Sequence, residues 1–148
     1  MTTNSEEKRQ GLIQIYSDFH KDAFGFRPRG INYAEFTLAE LEEDFDRFQE
    51  VCEENEAQEK RANEYAIAEF EKQVQSVIEI GAGDRETALR WIMDSYDDCD
   101  FDYGVEEFCI YVMRLGHNDY AKKLAVELHP IVQPKIDASM AERYADVA

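Results

Sequence analysis

The feature that most constrains the fold is a stretch from Thr37 to Ile80 that contains neither glycine nor proline. Thr37, followed three residues later by Glu40, forms the capping-box pattern of a helix start, and the next helix breakers are Gly81 and Gly83. A helix over about 44 residues would be about 66 Å long at a rise of 1.5 Å per residue. A compact domain of this size is only roughly 40 Å across, so the helix must bend, protrude or pair with another chain.

The apolar residues of this segment recur every three or four positions, which predicts an amphipathic helix. The pattern weakens in the middle, where Asn55, Glu59 and Ala62 take the inward positions. We therefore favour a break or bend within residues 55–63, and a homodimer that uses a continuous helix is the alternative. The predicted apolar stripe comprises Leu38, Leu41, Phe45, Phe48, Cys52, Ile67, Phe70, Val74 and Val77.

Helical periodicity also dominates the rest of the sequence, so the predicted fold class is all-α. We expect a helical bundle of about five to six helices in a single domain over residues 1–148. Its long helix would span about 37–80, and a C-terminal helical part would span about 84–146. The other predicted helices cover about 5–24, 85–96 with Asp84 as N-cap, 105–115 with Gly116 as C-cap, 118–129 and 133–144.

Almost all of the net charge of −17 comes from two segments. Residues 40–59 contain ten acids and one base, and residues 94–107 contain seven acids and no base. An acidic protein is repelled by nucleic-acid phosphates and by anionic membranes, so neither is expected as a direct ligand. The expected partner is a basic protein surface.

Six acids of the first segment project opposite the apolar stripe, within about 120° of arc at 3.6 residues per turn. Along this segment the carboxylates recur about every 3 Å, close to the 3.4 Å phosphate spacing of one DNA strand. The pattern therefore favours either a mimic of nucleic acid or the solvated side of an amphipathic helix. We call this set the acidic face; it comprises Glu42, Glu43, Asp46, Glu50, Glu53 and Glu54.

Asp98, Asp100 and Asp102 have the alternate spacing of the first calcium ligands in an EF-hand. The rest of that pattern fails, because Tyr103 stands where the turn needs glycine and Cys109 stands where a bidentate acid is needed. Acids interleaved with aromatic residues are typical of protein contact surfaces, and a non-standard divalent site that includes Glu106 or Glu107 is the alternative. The predicted contact residues, which we call the acidic loop, are Asp97, Asp98, Asp100, Asp102 and Tyr103.

Arg27 and Arg29 flank Pro28 in a glycine-bounded loop. Their guanidinium groups could bind a phosphate or a carboxylate, or they could pair with the acidic helix of the same chain. Both interpretations stay open at this level.

The sequence contains no pattern that indicates an enzyme, a cofactor or a metal centre. Its three histidines are scattered, its three cysteines lack CxxC spacing, and no phosphate-binding glycine loop or nucleophile motif occurs. The N-terminal residues lack the pattern of a signal peptide, and the apolar runs are too short to span a membrane. We therefore expect a non-enzymatic, soluble protein of the cytoplasm.

Two runs, YSDFHKDAFGFRPRG at residues 16–30 and ALRWIMDSYD at residues 88–97, resemble small accessory proteins of tailed bacteriophages. In size and acidity the chain is also similar to phage anti-defence proteins, which include anti-restriction and anti-CRISPR inhibitors. That resemblance implies a cytoplasmic inhibitor, in the host cell, of a basic, nucleic-acid-binding immune protein or complex. The alternatives are a dimeric adaptor and a protein that binds a small ligand or a divalent metal.

Overall fold

A computed structural model describes residues 2–145 and 147 of the chain. This part of the chain contains five α-helices and no strand, which confirms the predicted all-α class. Two 3-10 turns and two π-helical turns add to them, at Tyr33–Glu35, Asp98–Phe101, Ile78–Ala82 and Phe108–Val112. The α-helices are α1 (Thr2–Phe24), α2 (Leu38–Val77), α3 (Arg85–Asp94), α4 (Val105–Glu107) and α5 (Asp119–Ala145).

Helix α2 begins at the predicted capping box. The backbone N–H of Thr37 donates to Oε2 of Glu40 at 2.9 Å, and the N–H of Glu40 donates to Oγ1 of Thr37 at 3.2 Å. The helix then runs without interruption for 40 residues, so the predicted break within residues 55–63 is wrong, and a bend there stays a prediction. That region is rich in Glu, Gln, Lys, Arg and Ala, whose helix propensity sustains the backbone hydrogen bonds although the apolar stripe is weak there.

The chain forms two compact units, of residues 1–60 and 61–148. In the first unit, α1 packs against the first part of α2 through a small aromatic core. The Tyr16 ring contacts the Phe48 ring edge-on at 5.2 Å between centroids, and the Tyr16 hydroxyl donates to Oδ2 of Asp44 at 2.8 Å. Asn55 donates to the carbonyl of Ala23 at 2.9 Å, which ties the end of α1 to α2.

The second unit has a larger core, to which the C-terminal part of α2 and helices α3, α4 and α5 contribute. Its largest fully buried side chains are Val74, Leu89, Met93, Phe108, Cys109, Leu115, Leu124, Leu128 and Val132. The prediction of a single domain over residues 1–148 stays a prediction. Asp146, to which the predicted C-terminal helical part extends, lies outside the described residues.

Helix α5 differs from the sequence prediction, which divided it before Pro130. The structure has one helix that continues through both Pro130 and Pro134. Proline removes a backbone donor and crowds the preceding turn, so a helix usually ends there. Leu128 and Val132 lie on either side of Pro130 and are fully buried, and we attribute the continuity of the helix to their packing.

The segment after α4 also differs from its prediction. Its helical turns end at Val112 as a π-helix, earlier than the expected cap at Gly116. Arg114 follows with a φ of 57°, a left-handed backbone conformation that residues other than glycine rarely adopt. None of the helices described here is long and apolar enough to cross a membrane.

Candidate functional site

Helix α2 presents the acidic face in the first unit. Five of its six residues are exposed, and Glu42 is half-buried. The carboxylate of Glu42 pairs with Nζ of Lys8 at 2.5 Å, and Oε1 of Glu53 accepts a hydrogen bond from Gln49 at 3.1 Å. Within residues 2–145, Glu42 is the one member of the face that forms an ion pair, so most of this negative charge is not neutralised by the chain itself.

The base within this segment, Arg47, is engaged outside the face. It pairs with Oδ1 of Asp44 at 3.3 Å, and Asp44 also accepts the hydrogen bond from Tyr16. Asp44 therefore stabilises the first unit internally. Arg47 therefore does not neutralise the acidic face, because it pairs with Asp44 at the edge of the core.

The acidic loop in the second unit is more strongly engaged by its own chain. Nζ of Lys135 pairs with Asp98 at 3.7 Å and donates to the carbonyl of Tyr96 at 2.6 Å. Arg143 pairs with Asp102 at 3.3 Å. Both bases come from α5, and sequence reasoning missed them because they lie about 40 residues away along the chain.

The carboxylates of the acidic loop point to separate partners, which does not favour the calcium alternative. Oδ2 of Asp100 accepts a hydrogen bond from the backbone N–H of Asp97 at 3.0 Å, which closes the 3-10 turn. Asp98 and Asp102 are held by different bases of α5. The described residues contain no group of three or more acidic, histidine or cysteine side chains that could hold a metal ion.

The two aromatic residues of this region have different environments. Phe101 is buried and lies 4.4 Å from the ring of Phe108, centroid to centroid, so it anchors the loop to the core. Tyr103 is 88% exposed. Of the two, Tyr103 is therefore the one whose side chain is available for contact with another molecule.

Neither loop arginine forms an ion pair with the acidic helix among the described residues. Arg27 pairs with Asp18 of α1 and donates to Oγ of Ser17 at 3.2 Å. The interpretation that Arg27 pairs with α2 is therefore wrong. Arg29 is exposed and forms no ion pair with the residues that the structure describes, and its predicted role in anion binding stays a prediction.

The strongest charged cluster of the second unit was not found from the sequence. The guanidinium of Arg85 lies between the carboxylates of Glu71 and Glu127, and the hydroxyl of Tyr120 donates to Glu71 at 2.5 Å. The hydrogen bonds from Arg85 to Glu71 and Glu127 raise the pKa of that guanidinium further above its usual value. Because Arg85, Glu71, Glu127 and Tyr120 all have partners inside the unit, we interpret the cluster as a stabilising element of the fold.

The acidic face and the acidic loop thus belong to different units. The face lies on α2, and the loop includes the 3-10 turn Asp98–Phe101. No protein-family model, no curated protein and no solved structure matches this chain.

Proposed function

We propose that this chain is a non-enzymatic inhibitor that uses its acidic face to bind a basic, nucleic-acid-facing surface of another protein. One observation carries the proposal: five of the six carboxylates of the face have no cationic partner among the described residues. A face of unpaired charge on a helix favours binding to a partner of opposite sign. The similarity in size and acidity to phage anti-defence proteins supports a bacterial immune protein or complex as that partner.

The geometry of α2 supports competition with a nucleic acid. A helix rises 1.5 Å per residue, so the six carboxylates of the acidic face, from Glu42 to Glu54, recur on average about every 3.6 Å along the axis. Lysine and arginine side chains that are spaced for phosphates could contact these carboxylates instead. Because the carboxylates are exposed, salt should screen the attraction, with a Debye length of about 10 Å at 0.1 M ionic strength.

The experiment is a pull-down from bacterial lysate with the full chain, followed by elution with salt or with double-stranded DNA. We expect captured proteins to be released by about 0.5 M salt and by DNA, because the Debye length shortens and phosphates compete for the same surface. The test variant carries Glu43→Lys, Asp46→Lys and Glu50→Lys, three exposed positions without an ion pair. It should capture none of the proteins that DNA releases.

The matched control carries Glu64→Lys, Glu69→Lys and Glu142→Lys, which are exposed and lie outside the acidic face. It has the same net charge as the test variant, so it separates the position of the charge from its amount. It should capture the same proteins as the wild type. Equal capture by the test variant, or equal loss in both variants, would contradict the proposal.

The alternative of a dimer through the apolar stripe has less support from the structure. Leu41 and Phe48 are buried in the first unit, and Phe70 and Val74 are buried in the second. These side chains are therefore not available to a second copy of the chain. A homodimer stays a prediction, which sedimentation over a range of concentrations would test.

A further inference from the structure

A pocket of about 320 Å³ lies beside the acidic loop, within the second unit. The 3-10 turn after α3 supplies one side of it, and the π-helical turn after α4 supplies the other. We call it the aromatic pocket; its lining residues are Asp100, Tyr103, Glu107, Phe108, Tyr111 and Val112.

The walls of the aromatic pocket are mainly rings. Phe108 is buried and packs edge-on against Tyr96 at 4.9 Å between centroids, so it gives the pocket a fixed base. Tyr103 and Tyr111 are 88% and 62% exposed, a large apolar area to leave in water. The hydroxyl of Tyr111 lies 3.2 Å from Nε2 of His117, and the two rings meet edge-on at 5.5 Å, which orients Tyr111.

The charged residues of the pocket are both acids. Asp100 and Glu107 contribute carboxylates, and none of the six lining residues is basic. Aromatic faces attract cations through the negative charge of the ring face, and carboxylates attract them directly. A guanidinium satisfies both, because it is flat enough to stack on a ring and donates paired hydrogen bonds to a carboxylate.

We propose that the aromatic pocket binds an arginine side chain of a protein partner. Its volume is at the lower end of the range of ligand pockets, about 300 to 1,000 Å³, which suits one side chain better than a larger ligand. Of the seven acids of residues 94–107, the five that form no ion pair with the described residues add a negative potential that attracts such a partner. The inference rests on the proposed function only for the source of the arginine; the recognition of a guanidinium stands on the pocket itself.

The backbone beside the pocket supports a functional role. Phe108–Val112 forms a π-helical turn, a rare conformation that is frequent at functional sites. Arg114 follows it in the left-handed region, a strained conformation for a residue other than glycine. Arg114 lies two residues after Val112, which lines the pocket together with Tyr111.

The probe is N-acetyl-arginine amide, titrated into the full chain and followed by the NMR signals of the tyrosine rings. We expect saturable shifts at Tyr103 and Tyr111, and none with the uncharged analogue N-acetyl-citrulline amide. Tyr103→Ala should weaken binding about two- to fivefold, the equivalent of an exposed cation–π contact, while Tyr103→Phe should bind as the wild type does. Glu107→Gln should also weaken binding, because it removes one carboxylate at constant shape.

The matched control is Tyr65→Ala, because Tyr65 is 69% exposed and does not line the pocket. It should leave binding unchanged. Equal binding of the citrulline compound, or wild-type affinity in Tyr103→Ala, would overturn the proposal. Tighter binding of N-acetyl-lysine amide would overturn the assignment to arginine. The acidic-face variant should retain full binding of the probe, so a failure of the proposed function leaves this result interpretable.

Discussion

Arg85 of α3 holds Glu71 of α2 through two parallel hydrogen bonds, from Nη1 to Oε2 at 2.8 Å and from Nη2 to Oε1 at 2.9 Å. The same guanidinium donates through Nε to Glu127 of α5 at 2.5 Å. One side chain therefore joins three helices of the second unit. Paired hydrogen bonds of this kind fix the relative position of the two groups better than a single ion pair does.

We expect Arg85→Ala to lower the free energy of unfolding by about 1 to 2 kcal/mol, because Glu71 and Glu127 lose their shared cation. This loss is smaller than the loss expected on breaking a buried ion pair. Each of the three side chains is more than one third exposed, so water screens the interaction. Urea denaturation measures it. The control is Arg90→Ala, which breaks an exposed pair with Glu86 and should cost below about 0.5 kcal/mol. Equal losses would contradict the special role of Arg85.

The stability that Glu71 contributes should depend on pH. The hydrogen bonds from Arg85, and then that from Tyr120, hold the pKa of Glu71 below its ordinary value of 4.5. A carboxyl group whose pKa is lower in the folded than in the unfolded protein stabilises the fold when the pH is above its unfolded pKa. This stabilisation disappears as the pH falls through the folded pKa. The difference in unfolding free energy between the wild type and Glu71→Gln should therefore be constant from pH 7 to about 5 and shrink below about 4.5. A constant difference down to acid pH would show that the charge of Glu71 contributes nothing.

Tyr16 should make the first unit sensitive to alkaline pH. Burial, and then the hydrogen bond to Asp44, raise the pKa of Tyr16 from 10.0 to about 12. The unfolded chain loses this proton near 10, so the stabilisation is complete below that pH and is lost as the pH rises toward 12. Tyr16→Phe should lower the free energy of unfolding by about 1 kcal/mol at neutral pH, and this difference from the wild type should become smaller above pH 10. Urea denaturation at several pH values measures this difference, and a difference that grows above pH 10 would contradict the prediction.

Two glycines should respond to alanine with opposite signs. Gly116 has a φ of +84°, and an added Cβ would lie 2.2 Å from Nδ2 of Asn63. Gly116→Ala should therefore lower the free energy of unfolding by about 1 to 2 kcal/mol or more. Gly11 lies in α1 with no atom within 4 Å of such a Cβ, so Gly11→Ala should stabilise by about 0.5 to 1 kcal/mol. Thermal unfolding of both variants checks this. A stabilised Gly116→Ala would show that the backbone at residue 116 relaxes freely.

The sequence by itself determined the features that depend on neighbouring residues. Thr37 and Glu40 mark the start of α2, and Asp84 accepts a hydrogen bond from the N–H of Thr87 at 2.7 Å, as its N-cap role requires. These contacts span three residues, so their geometry follows from local backbone sterics and needs no tertiary fold. The order of the acidic residues along the chain likewise predicted that the charge would lie on one helix face and in one loop.

Only the tertiary structure decided which charges remain available. Lys135 and Arg143 of α5 engage Asp98 and Asp102 of the acidic loop, whereas most of the acidic face has no such partner among the described residues. The same holds for Arg85, whose two carboxylate partners lie 14 and 42 residues away. Such pairs form only when packing of apolar side chains brings distant helices together, and no periodicity in the sequence encodes which helices will meet.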